Sequence, residues 1–272
     1  MIKGIIFTDL DESLLNENKY DGKVLDKYIR KLLSENFFII ALTSKTYKEV
    51  ISLYKENNIK LPFSSENGAA FYIPRSNKEE ELKFKKILNR KTVQVKEIEK
   101  CLNNLIIKYP DSFLKIKDLN IKDQMKITSL NKEQLLNFYK RDFSVSLLWN
   151  SSTKLLNDFK KNIESYNLKI TFGGKMFNIS GNHNKLDALK FFEKFYENNF
   201  DKRNSTTISI GDSQNDIEIL NYTDYSGIVR RKDKKKIKLL KSKKVYKSKN
   251  IAPKGWIELL NLIRKDMEDQ NG

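Results

Sequence analysis

The chain has 272 residues, 39% hydrophobic and 11% aromatic, with only four Pro and ten Gly, which excludes a fibrous repeat or a disordered chain and allows one large domain or two modest ones. The single cysteine, Cys101, excludes an intramolecular disulfide and, with one His, a His/Cys metal site, and it fits a packed thiol in a reducing cytosol. The net charge of +17 admits a nucleic-acid partner, but lysine is abundant throughout and neither zinc-finger spacing nor an RNP-type aromatic motif is present.

The first predicted element is a buried strand, Ile5 to Thr8 in "GIIFTDLDESLL", which ends in two acids, Asp9 and Asp11. Period-two geometry starts both on one side, with Leu10 turned away. Helical periodicity follows over Tyr20 to Glu35. "FFIIALTS" is a second apolar strand, ending in Thr43 and Ser44, and Thr46 to Asn57 is helical. "LPFSSENGAAFYI" holds a short strand and a turn at Glu66-Asn67-Gly68, where Gly suits a turn and Asn67 tolerates left-handed backbone.

From about Ser76 to Ser180 the pattern becomes helix, strand, strand, helix, strand, helix and two strands, the last pair turning at Gly173-Gly174. Cys101 falls in the helical stretch "VKEIEKCLNNLI". Beyond it, Lys185 to Asn198 is helical, "TTISIGDS" is a strand, and Asp216 to Tyr222 is helical. "YSGIVR" and "KKVYKS" are short strands, and Gly255 to Met267 closes as a helix. Alternating strands and helices at both ends predict an α/β fold, a Rossmann-like parallel sheet covered on both faces. The middle predicts an α+β insert with an antiparallel sheet. The expected division is a discontinuous core, 1–76 and 181–272, around an inserted domain, 77–180.

No apolar run approaches the ~20 residues of a membrane span, and the chain enters its first strand with no basic leader, so a cytoplasmic protein without membrane contact is expected. The basic run Arg230 to Lys249 fits a solvated face better than a nucleic-acid patch.

In an open parallel sheet, ligands bind at the carboxyl ends of the strands. Three strands here end in polar residues: Asp9 and Asp11, Thr43 and Ser44, and Gly211-Asp212 followed by Asn215-Asp216. Two close carboxylates repel unless a cation neutralises them, and Mg²⁺ suits hard oxygens, with Asp212 a natural third ligand. Each Asp alone reads as a turn or cap residue, but the set on three strand ends points to a site. His183, beside Lys185 on a loop-like run, fits a solvated or turn role.

These residues carry a resemblance. "DLDES" resembles the first motif, Asp-x-Asp-x-Thr/Ser, of the haloacid dehalogenase superfamily of phosphatases; Thr43 matches the second, Lys185 in "GNHNKLDAL" the third and "GDSQND" the fourth. The insert lies between the second and third motifs, where the Cof-like branch carries an α+β cap. "SKTYKEV", "PFSSENGAAFYIP", "FGGKMFNISG" and "KGWIELL" further resemble mannosyl-3-phosphoglycerate phosphatases. Two positions depart from that pattern: Glu12 stands for the usual Gly, and Val145-Ser146 for Glu-Pro in the cap.

The resemblance implies a Mg²⁺-dependent phosphatase that acts through an aspartyl-phosphate. It assigns Asp9 as nucleophile and Asp11 as general acid and base. Thr43, Lys185 and Asn215 would meet the phosphate. Mg²⁺ would be held by Asp9, Asp11 through its backbone carbonyl, and Asp212, with Asp216 supporting Lys185. Lys45, Arg141 and Lys175 are candidates for a substrate carboxylate. The expected substrate is a small anionic sugar phosphate: mannosyl-3-phosphoglycerate, giving the compatible solute mannosylglycerate, or glucosyl-3-phosphoglycerate or another sugar phosphate. The rival of another class is a basic nucleic-acid-binding protein on an inactive phosphatase fold, which the intact Asp9 and Asp11 disfavour.

Overall fold

The computed structural model describes residues 3–16, 22–75, 82–173, 176–199, 206–233, 237, 239 and 244–271. β1 (Gly4–Thr8) is buried along its whole length and feeds two faces in alternation. Ile5 and Phe7 enter one apolar cluster, while Ile6 enters another and Thr8 accepts a hydrogen bond from Trp256 Nε1 at 3.0 Å. A strand that is apolar on both sides needs cover on both sides.

The cover comes from the alternating elements. α1 (Gly22–Ser34), β2 (Phe37–Leu42), α2 (Tyr47–Asn57), β3 (Phe63–Ser65), β4 (Ala70–Pro74) and β5 (Phe84–Leu88) follow in order. After an intervening segment come α7 (Lys185–Asn199), β10 (Thr206–Gly211), α8 (Ile217–Tyr222), β11 (Tyr225–Ile228), β12 (Lys244–Lys247) and α9 (Lys254–Asn271). The eight strands form one sheet in the order β12-β11-β10-β1-β2-β3-β4-β5, parallel except for the antiparallel β3–β4 and β4–β5 pairs. One face packs on α1, α2 and α9 through residues such as Leu25, Val50, Trp256 and Leu259. The other packs on α7 and α8 through Leu189, Phe192, Ile219 and Leu220.

The intervening segment builds a separate sheet: α3 (Val95–Lys108), β6 (Phe113–Lys115), α4 (Ile121–Thr128), α5 (Lys132–Phe138), β7 (Ser144–Trp149), α6 (Thr153–Ser165), β8 (Leu168–Gly173) and β9 (Met176–Gly181). Its four strands are antiparallel in the order β6-β7-β9-β8, and α3 and α6 close a third apolar cluster that includes Cys101.

The segment differs from expectation in detail. β5 lies in the range assigned to the insert, yet it pairs with β4 in the larger sheet. One strand rather than two follows α3, and two short helices replace one, because Ser129 at φ 60° ends α4 and Asn131 caps a new helix. Of the expected Gly173-Gly174 turn, position 174 lies outside the described residues. Among the described residues, no helix is long and apolar enough to cross a membrane.

Candidate active site

The strand order reverses at β1, which has β10 on one side and β2 on the other. A crevice opens at the carboxyl ends of strands flanking such a switch. Asp9, just past β1, continues the alternation of Ile5 and Phe7 toward the face of α7, whose first residue is Lys185. Lys185 is 1% exposed, and its ammonium lies 2.8 Å from Asp9 Oδ1 and 2.6 Å from Asp216 Oδ1. Burial alone would lower the lysine, but Asp216 and Asp9 outweigh it and hold the ammonium above the usual lysine range.

Asp216 is spent on structure. Its second oxygen accepts from the backbone N–H of Asp212 and of Ser213, both at 3.1 Å. Gly211 permits this approach, since a Cβ there would stand 2.5 Å from that of Asp216. Asp9 is less settled: burial pushes its carboxyl well above the usual range, Lys185 opposes this, and the charges of Asp216 and Asp212 add to it. Burial, then the charge of Asp216, pushes Asp212 up to about 6.

Asp11 takes a different direction. The chain leaves the extended strand at Thr8 and turns through Glu12 at φ 51°, so the period-two expectation for Asp9 and Asp11 does not extend this far. Asp11 stays half exposed, 3.0 Å from Lys45 Nζ. The left-handed backbone explains why a Gly suits position 12 and why Glu12 costs about 1–2 kcal/mol there.

Thr43 is fully buried past β2, where its hydroxyl oxygen accepts from Lys45 N–H at 3.2 Å. Asn215 is exposed and donates to Asn67 Oδ1 at 3.3 Å, which ties it to the Glu66–Gly68 turn. Arg141 NH1 donates to Ser144 Oγ at 3.1 Å and reaches the Ser44 carbonyl at 3.5 Å. The Arg141 guanidinium stacks over Phe138, and its Nε, like the Tyr139 hydroxyl, is buried without a hydrogen-bond partner among the described residues. Lys175 lies outside the described residues.

Several participants carried no sequence assignment. Ser13, the last residue of the "DLDES" motif, donates to Asp212 Oδ1 at 3.1 Å. Arg231, inside the basic run, donates to the other oxygen of Asp212 at 2.5 Å and to Asp233 at 2.9 Å. Glu66 is buried and accepts from Asp142 N–H, Phe143 N–H and Ser144 Oγ at 3.0, 3.1 and 2.5 Å, fastening the smaller sheet to the larger one. His183 is a correction: it is buried rather than solvated, with Nε2 3.1 Å from the Glu66 carbonyl, and burial pushes its pKa down to about 4. Gly68 at φ 93° makes this packing possible, since a Cβ would stand 2.1 Å from the Asn184 carbonyl oxygen.

One oxygen each from Asp9, Asp212 and Asp216 lies within 4.8 Å of the others. This set is hard, buried and anionic, with Lys185 and Arg231 as its ion-pair partners among the described residues, so it fits a small divalent cation such as Mg²⁺.

With the strand tips, the buried ammonium and the acidic cluster in place, the comparisons with known proteins become decisive. The family model of the haloacid dehalogenase-like hydrolases matches residues 6–252. The chain belongs to that family. A glucosyl-3-phosphoglycerate/mannosyl-3-phosphoglycerate phosphatase of Persephonella marina is 28% identical over 268 residues, covering 97% of this chain and 98% of that protein. Among solved structures, a HAD/COF-like hydrolase from Plasmodium vivax matches with a TM-score of 0.66 at 17% identity, covering 97% of this chain and 96% of that one. The sucrose-phosphatase of Synechocystis sp. PCC6803, solved with sucrose and phosphate, matches at 0.61 and 14% identity, covering 98% and 99%. At these identities the two structures establish the fold of this hydrolase.

Proposed function

We propose that this hydrolase is a phosphatase that removes phosphate from a glycosylated 3-phosphoglycerate, mannosyl-3-phosphoglycerate before glucosyl-3-phosphoglycerate. One observation carries the chemistry: a buried carboxylate at a strand tip, Asp9, is held by a buried ammonium, with a second, solvent-facing carboxylate, Asp11, two residues on.

Asp9 attacks phosphorus as the bond to the leaving oxygen breaks, forming an aspartyl-phosphate. Asp11 gives the leaving oxygen its proton and then takes one from the water that hydrolyses the intermediate. Lys185 favours the ionised form of Asp9 against the effect of burial and places positive charge beside the transferred phosphoryl group. Thr43 binds a phosphate oxygen, since its hydroxyl oxygen accepts from Lys45 N–H and leaves the hydroxyl proton for a phosphate acceptor. Asn215 steadies the fourth-motif loop against Asn67. Asp9, Asp212 and the backbone carbonyl of Asp11 would hold Mg²⁺, which would offset the charge between carboxylate and phosphate. Asp216 would act at one remove, fixing Lys185 and the turn of Asp212.

The segment that builds the smaller sheet serves as the cap over this site. Arg141 and Lys45 bind the glycerate carboxylate. The unspent Nε–H of Arg141 and the nearby Tyr139 hydroxyl supply donors there, and a planar guanidinium suits a carboxylate. The Persephonella relative supports this substrate class.

The test is phosphate release from mannosyl- and glucosyl-3-phosphoglycerate against plain hexose phosphates, with wild type and Arg141→Ala. Wild type should favour the glycosylated substrates. Arg141→Ala should lose roughly ten- to a hundredfold in kcat/KM on them and less on hexose phosphates. Equal efficiency of wild type on all substrates leaves only a general phosphatase.

A further inference from the structure

The four-stranded sheet has two chemically opposite faces. Val145, Leu147, Phe177 and Ile179 point into the apolar cluster under α3 and α6. Alternation sends their neighbours to the other face. There the register sets Ser144 opposite Ser180 and Ser146 opposite Asn178, a strip of hydroxyls and amides on two paired strands.

This strip begins at the site. Ser144 Oγ lies on Glu66 and on Arg141, and Arg141 reaches the carbonyl of Ser44, the residue after Thr43. Ser146 stands one strand repeat further along, about 7 Å from Ser144. Its hydroxyl donates to Asn178 Oδ1 at 2.6 Å, and the Asn178 amide N–H₂ donates to no group among the described residues. Ser146 is 6% exposed and Asn178 only partly so, which leaves the amide donors of Asn178 on an accessible polar face, anchored from behind by Ser146.

Val145 completes the apolar face, and Ser146 places a hydroxyl on the opposite face.

We infer that Asn178, held by Ser146, reads hydroxyls of the leaving group, and that this pair sets sugar preference in this chain. The inference rests on the phosphatase reading. It names the part of the substrate recognised beyond the phosphate and the carboxylate. A polyhydroxylated ring matches a surface that offers two amide donors and a hydroxyl. An apolar or aromatic leaving group would leave those donors unpaired.

The experiment compares kcat/KM on the best sugar-bearing substrate of wild type with that on p-nitrophenyl phosphate, which has no sugar hydroxyls. Asn178→Ala should lower the sugar-to-nitrophenyl ratio roughly tenfold or more. Asn178→Asp keeps the volume and the bond to Ser146 but removes both amide donors; its added charge weakens both anionic substrates, and the loss of the donors should still lower the ratio. Ser146→Ala frees the Asn178 rotamer and should move the ratio in the same direction by less. Thermal unfolding of each variant near wild type shows that the sheet is intact. An unchanged ratio in Asn178→Ala and Asn178→Asp overturns the inference while leaving the phosphatase reading in place, as does an equal loss on both substrates. Absence of phosphate release by wild type from every substrate overturns both.

Discussion

Replacing Lys185 by Met tests the electrostatic centre of the site. Met has similar length and no charge, so Lys185→Met removes an ammonium that is 1% exposed and lies 2.8 and 2.6 Å from two buried carboxylates. Breaking a buried ion pair from one side costs about 3–5 kcal/mol, because the remaining charges keep their desolvation penalty. For a chain of this size that corresponds to a fall in Tm on the order of 10 °C. The sign of the pH dependence follows from the same argument. Without Lys185, burial and mutual repulsion act unopposed on Asp9, whose carboxyl is already raised. A group whose folded pKa exceeds its unfolded value contributes stability at low pH and loses it as pH rises through the folded value. The variant's deficit should therefore be smaller near roughly pH 5 than near roughly pH 8, measured by calorimetry with chelator present. With Mg²⁺ restored, kcat should fall roughly 10²- to 10³-fold, as for loss of one charge-stabilising donor. A Tm within about 2 °C of wild type at both pH values would refute the buried-pair argument. A kcat within about threefold would remove Lys185 from the transferred phosphoryl group.

Asp9→Asn breaks a buried ion pair but leaves Lys185 its Asp216 partner, so Tm should fall less than in Lys185→Met, while turnover should fall by at least about a thousandfold, since an amide is a poor nucleophile; near-normal phosphate release would end the covalent mechanism. Activity should vanish on chelation and return with Mg²⁺, and apparent Mg²⁺ affinity should weaken as pH falls through about 6, where Asp212 takes up its proton. Titrations giving the same affinity on both sides of that value would take Asp212 off the ligand list. Gly68→Ala should reduce the urea-unfolding free energy by about 2–4 kcal/mol, from left-handed backbone and the close Asn184 carbonyl. An unchanged midpoint would mean that the turn relaxes freely.

The sequence alone determined the parts of this protein that are local or ordered along the chain. Alternating apolar strands and amphipathic helices specify a parallel sheet covered on both faces. That pattern holds in the folded chain because burying both faces of β1 leaves little choice. Asp9, Thr43, Lys185 and Asp212 were legible because each sits at an element end, in a fixed order. Tertiary structure decided which of them meet. Lys185 contacts Asp9 because α7 packs on the face of β1 that carries Ile5 and Phe7. Asp11 turns to Lys45 because the chain leaves the strand at Thr8. Glu66, in a turn, and Arg231, in a basic run, bore no local mark of their partners, which lie 76 and 19 residues away. The range of β5 falls in the expected insert, whose pattern begins with a helix and holds no strand there; only pairing with β4 places β5 in the larger sheet. The two faces of the smaller sheet needed the same information. Ser146 and Asn178 are ordinary polar residues in sequence, and they become a surface only when register sets them side by side. Pairing across long sequence separations depends on packing the whole chain at once, and short-range patterns do not encode it.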